Sequence, residues 1–127
     1  MREVSLMDPS KETDNKLRWQ AWENGVLFKL YIPKWRVPEP WPVRIVVRID
    51  DDPNSFVAVP PSRGPESVQT RNLDEPVVAL VAKHTEHTET VRYSPVGDPA
   101  KWELGEPYIP FAMLSVPVPE RLRLDVH

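Results

Sequence analysis

Residues 17–32 read LRWQAWENGVLFKLYI, and this stretch decides the fold class. Asn24-Gly25 is a dipeptide favoured in type I′ hairpin turns, whose two central residues both need positive φ. With these two residues as the loop, Glu23 pairs with Val26 and Leu17 with Ile32. The apolar face then carries Leu17, Trp19, Ala21, Phe28, Leu30 and Ile32. Because a slip of one residue would destroy this sorting, turn chemistry and hydrophobic pattern predict the same antiparallel hairpin.

The other segments indicate short strands joined by proline-rich turns. The chain has 16 prolines and 4 glycines, which disfavours long helices because proline removes a backbone donor. Residues 33–42, PKWRVPEPWP, predict an extended connector. Alternation and turn residues predict strands at 43–49, 55–59, 108–114 and 121–126, and a weak edge strand at 68–72. An N-cap aspartate followed by proline predicts one helical turn within residues 98–104.

Residues 76–95 are ambiguous. The apolar run at residues 77–82 fits either a buried strand or a short helix. Its β-branched residues, and the alternating pattern that follows it, favour a second hairpin with its turn near Thr85-Glu86.

The predicted fold is all-β: a single-domain β-sandwich or partly open β-barrel of seven to eight short antiparallel strands with proline-rich connections. Residues 1–15 have little to bury and are expected to be a flexible leader, in which Val4, Leu6 and Met7 could dock as an edge strand. Residues 16–127 form the single all-β domain. No repeated unit of fixed period is recognised. Tyr-Ile-Pro occurs at 31–33 and 108–110, but a tripeptide is too short to identify a repeat.

Composition excludes several classes of chemistry. The 127 residues are 40% hydrophobic and 28% charged, as in soluble globular proteins, and include no cysteine. We therefore expect no disulfide and no thiolate site, which fits a cytoplasmic protein. No stretch approaches the roughly 20 apolar residues that cross a bilayer. Phosphate-binding glycine loops and serine-nucleophile motifs are missing, so no catalytic residue, metal or cofactor is predicted.

Charge is concentrated in one part of the chain. Residues 16–48 contain seven basic and two acidic side chains, a balance of +5; since the net charge is −3, the remainder carries −8. Aromatic and arginine side chains often anchor protein interfaces. Trp35 and Trp41 could instead form a lid over the core. The predicted binding surface comprises Arg18, Trp22, Lys29, Tyr31, Trp35, Arg36, Trp41, Arg44 and Arg48.

Three functions remain open. The first is a non-catalytic interaction or assembly module that binds a protein partner or a second copy of the chain. The second is a module that binds single-stranded nucleic acid or another polyanion, although the acidic net charge argues against it. The third is a metal-dependent hydrolase at a hairpin tip carrying His84 and His87, for which the sequence offers no convincing third ligand.

Overall fold

The computed structural model describes residues 2–66, Leu73 and 75–127. These residues form a closed antiparallel barrel with the strand order β1-β2-β3-β7-β6-β5-β8-β4. The strands are β1 Arg2–Glu12, β2 Lys16–Glu23, β3 Val26–Pro33, β4 Arg44–Asp50, β5 Val77–Glu86, β6 Thr90–Pro95, β7 Tyr108–Pro110 and β8 Arg121–Val126. The all-β prediction is confirmed, and the barrel is closed rather than partly open. Nowhere in the described ranges is there a helix with the length and apolarity needed to cross a membrane.

The β2–β3 hairpin has the predicted register. Leu17 lies opposite Ile32 and Glu23 opposite Val26. Asn24 and Gly25 have φ angles of +50° and +77°, as a type I′ turn requires. The predicted inward face is buried in the core except for Ala21, which is partly buried and packs against it.

Strand β1 replaces the expected leader. It pairs with β2 on one side and with β4 on the other. Leu6 is fully buried in the core, and Val4 packs against it. The leader was expected because residues 1–15 contain few apolar side chains. In the structure, the ladders on both sides satisfy the backbone hydrogen bonds of β1, and the inward side chains of Val4 and Leu6 anchor it to the core.

Two predicted strands differ in the structure. Within residues 55–59, the backbone is part of the 3₁₀ helix Pro53–Ala58. The Asp52 carboxylate accepts from the Asn54 backbone N–H at 2.9 Å, so a helix cap outweighs β-propensity there. The strand expected at 108–114 ends at Pro110 and continues as the 3₁₀ turn Phe111–Met113. The edge strand predicted at 68–72 lies outside the described residues.

The remaining predicted elements are present, with differences in their turns and ends. Residues 76–95 form a hairpin, but its turn falls at 87–89, and the ladder register shifts between Lys83 and Thr85. The helical turn is the 3₁₀ segment Pro99–Lys101, which Asp98 caps. Strand β4 begins one residue later than predicted, and Val43 is 60% exposed instead of facing the core.

The barrel consists of two related halves, residues 2–50 and 77–126. The Tyr-Ile-Pro tripeptide at the end of β3 recurs as β7, 77 residues later. The same spacing separates the 3₁₀ turns that follow and the starts of β4 and β8. Exchanging β1–β4 with β5–β8 leaves the strand order unchanged, so an approximate two-fold axis relates the halves. The sequence analysis did not detect this repeat.

Each half also has a connector that crosses from its third strand to its fourth. The first connector is residues 34–43, and the second is residues 111–120; cis peptide bonds precede Pro40 and Pro117. The Trp19 indole donates to the carbonyl of Pro42 at 2.9 Å, and the Tyr93 hydroxyl donates to the carbonyl of Pro119 at 2.7 Å. Pro42 and Pro119 are again 77 positions apart. Equivalent buried aromatic residues therefore hold equivalent connectors.

Candidate functional site

The outward side chains of β3, β2, β1 and β4 form one continuous wall, because β1 lies between β2 and β4. Arg18, Trp22, Lys29 and Tyr31 lie on the β2–β3 part of this wall. Arg44 and Arg48 lie on β4. The strand that joins these two groups is the one the sequence analysis expected to be a leader.

Exposed apolar side chains lie near the middle of this wall. Trp22 is 67% exposed and pairs with Leu27 across the hairpin. Met7 is 49% exposed, and its backbone lies opposite Gln20 on one side and Arg44 on the other. We call this group the Trp22 face: Met7, Gln20, Trp22, Leu27 and Arg44.

Polar and aromatic contacts orient the cations on and beside the Trp22 face. The Arg44 guanidinium donates to the Ser5 hydroxyl at 2.9 and 3.2 Å. The Arg18 guanidinium donates to the Gln20 amide oxygen at 3.3 Å. The Lys29 ammonium lies 5.1 Å from the centre of the Tyr108 ring. The contacts of Arg44 and Lys29 orient these two cations without cancelling their charge.

Arg36 was predicted to lie on the binding surface, and this prediction is wrong. Its side chain is completely buried and donates to Glu103 at 2.8 Å and to the carbonyl of Glu75 at 2.6 Å. Arg63 also donates to Glu103, at 3.1 Å. Burial alone would raise the pKa of Glu103, but the hydrogen bonds from Arg63 and Arg36 outweigh it and lower that pKa. An ionised partner lets this arginine occupy the interior.

The two connector tryptophans have different surroundings. Trp41 is partly buried against the core, and the Lys34 ammonium lies 5.9 Å from its ring centre. Trp41 is therefore the lid that the sequence analysis considered. Trp35 lines an open cleft of about 560 Å³ that Trp102 and Leu104 also line. Neither residue is part of the Trp22 face.

The two histidines make separate contacts. The His84 ring nitrogen Nδ1 contacts the Thr85 hydroxyl at 2.5 Å, and the His87 ring stacks on Tyr108 with 5.9 Å between centres. Across residues 2–66, 73 and 75–127, no three histidine, cysteine or carboxylate side chains lie close enough to hold an ion. The hydrolase hypothesis has no geometric support.

A second cleft of about 560 Å³ was missed by the sequence analysis. Lys29 and Tyr31 line it together with Glu106, Tyr108 and the β1–β2 turn, residues 13–16. The hydrogen bond from Arg92 lowers the pKa of Glu106, and Ser94 adds to this effect, whereas burial opposes it. The repeated Tyr-Ile-Pro was the signal that could have associated Tyr108 with Tyr31.

The chain matches no protein-family model and no curated protein sequence.

Proposed function

We propose that this chain is a non-catalytic interaction module that binds an acidic protein surface through the Trp22 face. The supporting observation is the comparison between the two halves of the barrel. Where the halves share an element, a side chain that the fold requires should have a similar counterpart in both. A side chain that serves binding need not have one.

Three tryptophans of the first half have no aromatic counterpart in the second half. Ladder registers make Trp19 equivalent to Tyr93, and hence Trp22 equivalent to Val96. The 77-residue spacing makes Trp35 equivalent to Ala112 and Trp41 equivalent to Val118. The second half therefore forms the same elements without three of these indoles. Trp22 is the most exposed of these indoles, so the fold gains least from it.

An acidic protein surface fits the Trp22 face better than a nucleic acid does. Trp, Met and Arg are enriched at protein interfaces, and Met7 offers nothing to a phosphate or a base edge. A partner surface that carries carboxylates beside an apolar residue would contact the cations and the Trp22 indole at the same time. That partner is either another protein or the acidic part of a second copy.

The test uses a peptide pool in which Asp or Glu alternates with Leu or Phe, and a matched pool with Lys or Arg. We expect the acidic pool to shift tryptophan emission, and the effect to weaken as salt rises. Trp22→Val, the change to the equivalent residue of the second half, removes a fluorophore, so its binding is measured by calorimetry; it should weaken binding at least tenfold, about 1.4 kcal/mol, without altering unfolding. Val57→Ala, at an exposed apolar residue outside the face, is the control and should not change binding.

Sedimentation separates the two sources of the acidic surface. A dimer that dissociates in salt and in Trp22→Val would identify a second copy as the partner. A monomer that binds the acidic pool would identify a different protein. Equal binding of both pools, or a response to oligonucleotide at the Trp22 face in place of the acidic pool, would contradict the proposal.

A further inference from the structure

The second cleft lies where the two halves meet. Its floor is formed by Lys29 and Tyr31 from the first half and by Glu106 and Tyr108 from the second. Lys29 and Glu106 are 77 residues apart, as are Tyr31 and Tyr108, so they occupy equivalent positions about the two-fold axis. Lys29 also lies opposite Tyr108 in the β3–β7 ladder. We call this site the axial cleft.

The halves have diverged in charge at this site. In the second half, the Glu106 carboxylate accepts from Arg92 at 2.8 and 3.0 Å and also from the Ser94 hydroxyl, so protein groups satisfy it. In the first half, the ammonium of Lys29 lies over the Tyr108 ring, and no salt bridge to it occurs among the described residues. Glu106 is therefore neutralised by protein groups, whereas Lys29 is available to a ligand.

Further cations surround the two tyrosines. Arg18 lies directly opposite Tyr31 on β2, and Arg92 lies opposite Tyr108 on β6. The exposed Lys16 lines the cleft from the start of β2. Because Arg92 forms an ion pair with Glu106, Lys16 and Lys29 stand against the one further carboxylate that lines the cleft, that of Asp14, which leaves one positive charge in excess. Lysine and arginine beside aromatic rings are the combination that neutralises phosphates and stacks unpaired bases.

We infer that the axial cleft binds a nucleotide, with its base against Tyr31 and its phosphate at Lys16 and Lys29. The cleft volume of about 560 Å³ lies in the range of small-molecule sites. The same chemistry is offered by a free nucleotide and by one residue of a single strand. Lys29 lies opposite Gln20 of the Trp22 face, but the inference uses none of the side chains that define that face.

The experiment is an amide NMR titration of the full chain with adenosine 5′-monophosphate, adenosine, inorganic phosphate and an oligothymidylate of about ten nucleotides. We expect the monophosphate to shift amides at 13–16, 29–31 and 106–108, and to bind more tightly than adenosine or phosphate alone. Lys29→Glu, which copies the second half, should weaken binding by about tenfold or more. Lys16→Ala, which removes an exposed side chain at the start of β2, should weaken it and leave the core unchanged.

Arg121→Ala, which removes an exposed cation on β8, is the matched control and should leave affinity unchanged. Binding of the monophosphate alone would indicate a free nucleotide, and binding of the strand through the same amides would indicate single-stranded nucleic acid. No shift in these amides with either probe at about 10 mM, far weaker than an ordinary site, would overturn the inference. So would shifts that both lysine variants leave intact, or a preference for the acidic peptide pool over nucleotide in this cleft.

Discussion

Arg36 and Met113 occupy equivalent positions in the two connectors, yet their chemistry is opposite. Both are buried. In the first half, Arg36 forms an ion pair with Glu103, and Arg63 adds a second cation to the same carboxylate. In the second half, methionine fills the site with no polar partner to satisfy. The fold therefore tolerates an apolar side chain here, and the ion pair instead ties the first connector to the segments that carry Arg63 and Glu103.

Glu103→Gln should destabilise the protein by about 3 kcal/mol, because it leaves a buried guanidinium without its anion. The pKa of Glu103 is lowered in the folded state, so its contribution is present above the ordinary value of 4.5 and is lost as pH falls through the folded pKa. Urea unfolding of wild type and variant should therefore converge in acid. The double variant Arg36→Met/Glu103→Gln should recover part of the loss; a double variant as unstable as the sum of both single changes would contradict this account.

At the scale of elements, each connector depends on one buried aromatic donor. The donors are Trp19 and Tyr93. Both side chains are buried, so water cannot replace the hydrogen bond that either one makes. Burial raises the pKa of Tyr93, with the charges of Glu120 and Glu86 adding to the effect. Its hydroxyl therefore remains a neutral donor to the second connector throughout the ordinary pH range.

Tyr93→Phe should lower the free energy of unfolding by about 1 kcal/mol, since it removes the hydrogen bond to Pro119 and little volume. Hydrogen exchange should rise around the second connector. Tyr108→Phe is the control because this hydroxyl makes no hydrogen bond in the described residues, and its unfolding should match wild type. A loss in Tyr108→Phe equal to that in Tyr93→Phe would show that ring substitution itself, and not the connector contact, sets the cost.

At the scale of the whole molecule, neither half forms a closed sheet alone. The halves are joined at β3–β7 and at β4–β8. Arg48 and Asp125, which are equivalent residues, lie opposite each other in the β4–β8 ladder. Closing the barrel therefore requires strands from both halves at two separate seams.

We expect one cooperative unfolding transition. Four of the five tryptophans lie in the first half, so their fluorescence reports mainly on that half, whereas far-UV circular dichroism reports on the whole sheet. The two transitions should coincide in urea. A fluorescence transition that precedes or follows the dichroism transition would mean that the halves unfold separately.

The sequence was informative where structure is decided locally. The β2–β3 hairpin follows from Asn24-Gly25 and the alternation around it, and strand β8 follows from its own alternation. Long-range contacts were not predictable in this way. Contacts between residues dozens of positions apart determine three features: the pairing of β1 with β4, the burial of Arg36 beside Glu103, and the axial cleft. The repeat was hidden because backbone geometry was retained while side chains such as Lys29 and Glu106 diverged.

The two seams have a consequence during synthesis on the ribosome. Strands β3 and β4 are made early, but their partners β7 and β8 emerge much later; β8 ends 76 residues after β4. At about 5–20 residues per second, the nascent first half displays two unpaired edges for roughly 4 to 15 s. In a polysome, neighbouring nascent chains display the same edges at the same time, so this interval is when the wrong strands can meet.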